Sequence, residues 1–519
     1  MSFKDYFKKN KGLILLFPLV VIVVYLPIVF SKFYCADLEY VQGAKGQIYN
    51  WRGLGRYTLI ILKKISFTPY NWILEGILFI ITAFLTVNAL AYFLHLINEK
   101  AEGILLFILS DIALIFPTFA EQYYFKFQSA EVMFGIFLLC LSSIFLMQFI
   151  KPKGKLHLFI LSLLINIVSF GIYQSMFNIL LVMYIGIFLV LCVFFTKENK
   201  LRIKAFLTVF IQFILSFAAN RVIIKVFHLT NGYFDDKIMW KQYSVKMCLS
   251  FLKHYVRVVL LSESPMYTFA FIVSIVLSFA ALIFLFIKNK SKGISALFGF
   301  AEILIAPFAI AIIQGFEPDS RTQLALPFSI AFLLFFAVSV LNEYEIFKEA
   351  DGKKDENILT AYIALFALIF VLCLNIYPTY RLTYTRMLIN KSDNSNIEKI
   401  AHDLKDFNCS VEDTDPLEVI FIGTLPYDER PFCVKYDRKN RDYILIPVFS
   451  LDADTAPQYF FSTNRILSAM ENAGYNFKKP QVSNNVNEAK NIAYNMPAYP
   501  ENGYIEKRKH FVVVNLGNY

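Results

Sequence analysis

Leu156-His-Leu-Phe-Ile-Leu-Ser-Leu-Leu-Ile-Asn-Ile-Val-Ser-Phe170, Gly171-Ile-Tyr-Gln-Ser175 and Met176-Phe-Asn-Ile-Leu-Leu-Val-Met-Tyr-Ile-Gly-Ile-Phe-Leu-Val-Leu-Cys-Val-Phe-Phe195 together decide the fold. A run of about forty apolar residues is broken once, by a glycine-led polar turn, into two segments of helical length. An α-helix rising 1.5 Å per residue needs roughly 20 apolar residues to cross a hydrocarbon core. Strands of a membrane barrel would alternate in polarity, which these runs do not. The stretch therefore reads as a membrane hairpin.

The rest of the 519-residue chain repeats this pattern. With 57% apolar residues, 17% charged residues, 55 Phe and a mean hydropathy of +0.53, the composition lies far from that of a soluble globular protein. Spans are read at Leu13 to Phe30, Asn71 to His95, Ile104 to Thr118, Val132 to Ile150, Leu156 to Phe170, Met176 to Phe195, Ala205 to Val226, Tyr267 to Ile287, Ile294 to Ile313, Leu324 to Leu341 and Ile358 to Ile376. The fold class is thus an α-helical polytopic membrane protein of about 11 spans.

The net charge of +10 would point to nucleic acid in a soluble protein. Here the lysines sit in short alternate loops: Lys4, Lys8, Lys9 and Lys11; Lys151, Lys153 and Lys155; Lys197, Lys200, Arg202 and Lys204; Lys288, Lys290 and Lys292; Lys348, Lys353 and Lys354. The positive-inside rule places them in the cytoplasm, together with the N-terminus. The remaining loops then face outward, as does the segment after the last span. The expected location is the plasma (inner) membrane, with the lipid bilayer as partner and no nucleic acid. The first apolar run follows a basic stretch but lacks a small-residue cleavage site, so it is read as a retained helix.

From Tyr377 onward the composition becomes that of a soluble domain. Ser395-Asn-Ile-Glu398 reads as a capping box opening a helix, Pro416 to Gly423 as a buried strand, Asn464 to Ala473 as a second helix, and Phe511 to Val514 as a last strand. The expected organisation is a transmembrane catalytic domain over 1–376 and a small extracytoplasmic α/β domain over 377–519. Gly423-Thr-Leu-Pro lacks the spacing of a nucleotide-binding loop, so no nucleotide or redox cofactor is expected. Of seven cysteines, Cys409 and Cys433 share this domain and are candidates for a disulfide, whose formation the sequence leaves open. No Cys or His spacing resembles a zinc site.

Candidate chemistry lies in the outward loops. Lys32-Phe-Tyr-Cys-Ala-Asp37-Leu-Glu39-Tyr40 sets two carboxylates just past the first span, and Trp51-Arg52-Gly-Leu-Gly-Arg56-Tyr57 closes the same loop. Carboxylates beside a hydrocarbon boundary cost free energy unless solvated or paired. A carboxylate against apolar surface keeps the basicity that a general base needs. The structural alternative is a solvated loop with a salt bridge to Lys32 or Arg52. The loop ends in Tyr57 to Ser66, too short to cross, which suits an interfacial helix with its lysines near lipid phosphates.

Arg56, Arg221 and Arg321 stand at outer span ends, where an arginine either anchors the helix or grips a phosphate. Glu121, Gln122 and Tyr123 in the second outer loop, and Tyr173 and Gln174 at the hairpin tip, suit sugar hydroxyls or turn capping. Asp111 and Glu302 are acidic residues inside spans, and they supply the strongest argument for a transporter or flippase of lipid-linked sugars.

Tyr34-Cys-Ala-Asp37-Leu-Glu39, Gly53-Leu-Gly-Arg56-Tyr57, Gln122-Tyr123 and Gly171-Ile-Tyr173-Gln174, in this order, resemble the bacterial Gtr-type (type II) membrane glucosyltransferases, which decorate O-antigen and related surface polymers. The resemblance implies a GT-C-like architecture and an outward active site. It also implies an inverting hexosyltransferase with a polyprenyl-phosphate sugar donor, often glucose, and a glycan acceptor. Asp37 would then be the base, with Glu39 assisting or binding a divalent cation. Arg56, Tyr57, Gln122, Tyr123, Tyr173 and Gln174, which stand in these motifs, would line the substrate, and Glu121, Arg221 and Arg321 join them as candidates from their loop positions. The family usually shows paired aspartates in the first loop. Here Leu38 separates Asp37 from Glu39, which leaves open which carboxylate is the base.

Overall fold

The computed structural model describes residues 3–31, 50–65, 71–151, 154–194, 199–229, 237–344, 354–425, 434, 443–445, 448–450, 456–480 and 483–517. Asp37, Glu39 and Cys433 lie outside them, so the paired carboxylates and the candidate disulfide do as well. The chain divides into two compact units. The first holds the apolar helices up to Tyr380, and the second holds Arg381–Tyr519 with the short described stretches Phe30–Ser31 and Tyr124–Phe127.

The helices of the first unit, in chain order, are α1 (Phe3–Lys9), α2 (Lys11–Val29), α3 (Tyr57–Ile65), α4 (Trp72–Ile97), α5 (Gly103–Leu114), α6 (Pro117–Tyr124), α7 (Ser129–Ile150), α8 (Leu156–Phe170), α9 (Met176–Phe194), α10 (Asn199–Val226), α11 (Val245–Leu261), α12 (Ala270–Lys288), α13 (Lys290–Ile305), α14 (Ala309–Gln314), α15 (Leu326–Glu343) and α16 (Lys354–Leu404). Helix occupies most of every predicted span, and Phe195 lies outside the described residues. Among the described residues, nine helices are long and apolar enough to cross a membrane, or ten if the bent pair α5–α6 is one span; the 15-residue α8 is shorter. Polar residues fix where several helices begin: Asn71 caps α4, Ser244 caps α11 and Asn289 caps α13, each side-chain oxygen accepting from a first-turn N–H.

Side-chain contacts sort the connecting loops into two sets. Lys151 pairs with Glu99 at 2.5 Å, and Lys100 and Lys292 each pair with Glu343 at 3.1 Å, all in or beside the basic loops. At the other end, Arg56 meets Gln128, Glu121 meets Ser320, and Lys237 meets Asp319. Each contact joins loops of the same predicted side, as alternating crossings require.

The third predicted span departs from expectation. Instead of one straight helix ending at Thr118, α5 and α6 meet at a 55° bend. Pro117 is the reason: it lacks an N–H and disfavours helical geometry at the residue before it. The break frees backbone groups inside an apolar bundle, and Tyr25 of α2 meets them. Its hydroxyl lies 2.9 Å from the Leu114 carbonyl and 3.2 Å from that of Phe116, and accepts from the Phe116 N–H at 3.0 Å. The stretch read as an aromatic outer loop is consequently helical and buried from Phe119 to Gln128.

A second departure concerns α3. The short helix forms, but Lys63 does not reach toward lipid phosphates. It is 2% exposed, paired with Glu75 of α4 and, at 2.7 Å, with Glu131 of α7. Burial alone would lower the ammonium pKa, but the two carboxylates outweigh that and hold it above its usual range. The adjacent Lys64 is exposed. Two acidic residues in later helices recruit this lysine, a pairing that local periodicity does not register.

In the second unit, β1 (Glu418–Ile422) runs parallel to β3 (Phe511–Asn515), and β2 (Ile505–Lys507) pairs antiparallel on the other side of β3. Ile420, Ile422, Phe511 and Val513 pack on Val486, Ala489 and Ala493 of α18 (Ser483–Ala493). The other helix of the unit, α17 (Ala456–Asn472), starts earlier than the predicted Asn464. Its Thr463 hydroxyl bonds the Phe421 backbone. Gly423 adopts φ +84°, and a Cβ there would fall 2.0 Å from the Gly517 carbonyl oxygen, which accepts the Thr424 N–H. The expected helix start at Ser395 is overturned. α16 runs unbroken through that position, so the capping-box residues lie within its polar extension.

Candidate functional site

Two sequence motifs far apart in the chain are brought into contact. The Gly171 carbonyl accepts the N–H groups of Thr58 at 2.9 Å and Leu59 at 3.2 Å, so the hairpin turn caps the otherwise open first turn of α3. Only glycine fits there: a Cβ on Gly171 would lie 2.4 Å from both Thr58 Oγ1 and the Tyr57 ring. Gly171→Ala should therefore destabilise the fold by about 1–3 kcal/mol, read as a lower midpoint of thermal unfolding in detergent. An unchanged midpoint would mean that this junction yields freely.

Arg56 occupies the centre of this junction. Its Nη1 donates to Gln128 Oε1 at 2.6 Å, and its guanidinium carbon lies 4.6 Å from the centroid of the buried Tyr173 ring. The cation is thus fixed by residues from two other loops of the predicted outer side. Tyr57 turns the other way. Its hydroxyl is 2.7 Å from the Ile167 carbonyl and 3.0 Å from Asn220 Oδ1, and burial pushes the phenol above its usual range. Gln174 stands beside Tyr173, and its Nε2 is buried without a hydrogen-bond partner among the described residues.

A second group of polar residues forms between α6 and the loop joining α14 to α15. Glu121 is buried and accepts from the Ser320 hydroxyl. Thr118 Oγ1 reaches the Gln323 carbonyl at 3.5 Å. In the same loop Asp319 pairs with Lys237 at 3.0 Å and with Arg321 at 3.4 Å. Burial opposes the charge of Asp319, but Arg321 and Lys237 prevail and hold its carboxyl below the usual range, while burial pushes the neighbouring Glu317 up. Trp240 closes the loop from outside, donating from Nε1 to the Ile312 carbonyl at 2.8 Å, with its ring against Gly315.

Tyr123 and Arg221 stand apart from both groups. Tyr123 is fully buried in an aromatic cluster with Tyr25, Phe79 and Phe119, at ring-centroid distances of 5.0, 4.7 and 5.6 Å. Arg221 is exposed and lies 5.8 Å from the Phe217 ring of its own helix. Gln122 is completely buried. Among the described residues no group of three or more His, Cys, Asp or Glu side chains could hold a metal ion, and the Asp37 to Glu39 stretch lies outside them.

A family model described as Glucosyl transferase GtrII matches residues 26–338, more than half of the chain. The chain belongs to the GtrII glucosyl transferase family. Among curated proteins, no sequence matches it. The matched stretch carries both polar groups described above, and the C-terminal α/β fold lies beyond it.

Sequence reasoning did not single out Gln128, Ser320, Asp319 and Lys237, which the structure places in these two polar groups. Gln128 carries no local signal, since only the fold shows that it faces Arg56. Asp319 and Lys237 had a faint one, as opposite charges in two loops of one predicted side.

Proposed function

We propose that this GtrII-family glucosyltransferase moves a hexose, glucose, from a polyprenyl-phosphate donor to a surface glycan on the outer face of the membrane. The observation that carries the reading is Arg56, a cation held by Gln128 and Tyr173 on the predicted outer side, where the short helix α3 begins. A guanidinium at that level matches the phosphate of a lipid carrier whose tail stays in the bilayer.

The reaction follows from these parts. Asp37 takes the proton from an acceptor hydroxyl, and that oxygen attacks the anomeric carbon. The bond from that carbon to the phosphate oxygen breaks from the opposite face, with the electron pair leaving on the lipid phosphate. Arg56 stabilises the negative charge that builds there. Glu39 assists the base or binds a cation, and the C-terminal α/β domain holds the polymer acceptor.

A translocator of lipid-linked sugars is the competing reading. Asp111 favours it: this carboxyl on α5 is fully buried, and neither oxygen has a hydrogen-bond partner among the described residues. Purified protein in liposomes separates the two. Transfer of hexose from polyprenyl-phosphate glucose to a glycan supports the enzyme; translocation of the lipid without transfer refutes it. Arg56→Ala should raise the apparent KM for the donor on the order of ten- to hundredfold, as expected for a lost charge-assisted contact. An unchanged donor KM would remove Arg56 from the phosphate site.

A further inference from the structure

Several buried amides in this bundle are bonded through their NH2 group. Asn88 donates to the Phe84 carbonyl, Asn178 to that of Pro307, and Gln212 to Ser162 Oγ. Gln122 is different. It is 0% exposed, and neither Nε2 nor Oε1 has a hydrogen-bond partner among the described residues. Leaving both ends of an amide unpaired in an apolar interior opposes folding, and a leucine or methionine would remove that penalty.

Its position shows what the amide faces. Thr118, Glu121 and Gln122 stand at i, i+3 and i+4 on α6, so they share one side of the helix. Thr118 and Glu121 contact residues Gln323 and Ser320, which turns that side toward the loop between α14 and α15. Gln122 therefore adds an unengaged donor and an unengaged acceptor to a buried polar wall that already contains a carboxylate and a serine hydroxyl. Side by side, an amide donor and acceptor complement two adjacent hydroxyls, which a neutral hexose presents and a polyprenyl chain does not.

We propose that Gln122 recognises the transferred hexose, pairing its amide with two ring hydroxyls while Glu121 takes a third. This rests on the transferase reading above and adds to it the residue that selects the sugar. Folding tolerates the unpaired amide because the bound sugar completes it.

The test is Gln122→Leu in the full-length protein, purified into liposomes with a short-chain polyprenyl-phosphate glucose and its monodeoxy analogues. Wild type should lose on the order of ten- to hundredfold in kcat/KM with at least one deoxy donor. Gln122→Leu should lose a similar factor with the parent donor and show no further loss with that analogue. Its thermal midpoint should equal or exceed that of wild type, because a structural role for the amide would lower it. If Gln122→Leu does not fold, Gln122→Met keeps the chain length without the amide and serves in its place. Unchanged kcat/KM in the variant, or discrimination among deoxy donors equal to that of wild type, overturns the proposal and leaves the transferase reading intact. Absence of hexose transfer by wild type overturns the transferase reading itself, and this proposal with it.

Discussion

Replacing Asp37 by Asn is expected to cut sugar transfer on the order of 100- to 10,000-fold while leaving the amount of membrane-inserted protein unchanged. The amide keeps the shape and polarity of the carboxylate but cannot accept the proton that the acceptor hydroxyl must lose. The attacking oxygen would then carry that proton into the transition state. Surface glycans from cells lacking the chain, complemented with wild type or with Asp37→Asn, provide the measurement. Loss of a hexose in both the null and the variant, restored by wild type, identifies the group and the residue together. Glu39→Gln is the control. A larger loss there than at Asp37 would exchange the two roles, and full rescue by Asp37→Asn would move the chemistry elsewhere.

Lys63→Met is expected to destabilise the membrane bundle by about 3–5 kcal/mol, because it leaves Glu75 and Glu131 facing each other in the interior without their shared cation. The native arrangement is secure over the working range. Lys63 is held above the usual lysine pKa, so its contribution is complete below about pH 10.4 and is lost only as the pH rises through the still higher folded value. Replacing all three residues together, as Lys63→Met with Glu75→Leu and Glu131→Leu, should restore most of the loss, since a buried ion group exchanged for apolar residues is often neutral. Unfolding midpoints in one detergent compare the three proteins. A single variant as stable as wild type would mean that the carboxylates find other partners or become protonated at little cost.

Most of the architecture was legible in the sequence because membrane crossing imposes a length and a polarity that the chain must display. The apolar runs, the Gly171 hairpin and the two strands read at Pro416 to Gly423 and Phe511 to Val514 could be taken from residue order alone, though not the pairing of those strands. What escaped were features decided by a partner far away in the chain. The break at Pro117 was read through as one span, and Tyr25, some ninety residues earlier, makes it tolerable inside apolar surroundings. Lys63 looked like an interfacial lysine until two glutamates from separate helices enclosed it. At the candidate site the motifs singled out Arg56 and the Gly171 turn separately, without joining them. The contact between the two segments runs from the Thr58 and Leu59 N–H groups to the Gly171 carbonyl, a backbone group that every residue possesses and no motif advertises.

That contact has a consequence for how the protein is made. Helix α3 is synthesised early, yet its partners come later: Glu75, then Glu131, and last Gly171, 108 positions after Lys63 (171 − 63). At translation rates of roughly 5–20 residues per second, the segment leading from Arg56 to Lys63 waits roughly 5–20 s for the carbonyl that caps it. Both carboxylate partners of Lys63 are made before that carbonyl. The site therefore closes by retrofitting, with an early segment locked into place by a hairpin that enters the bilayer after it.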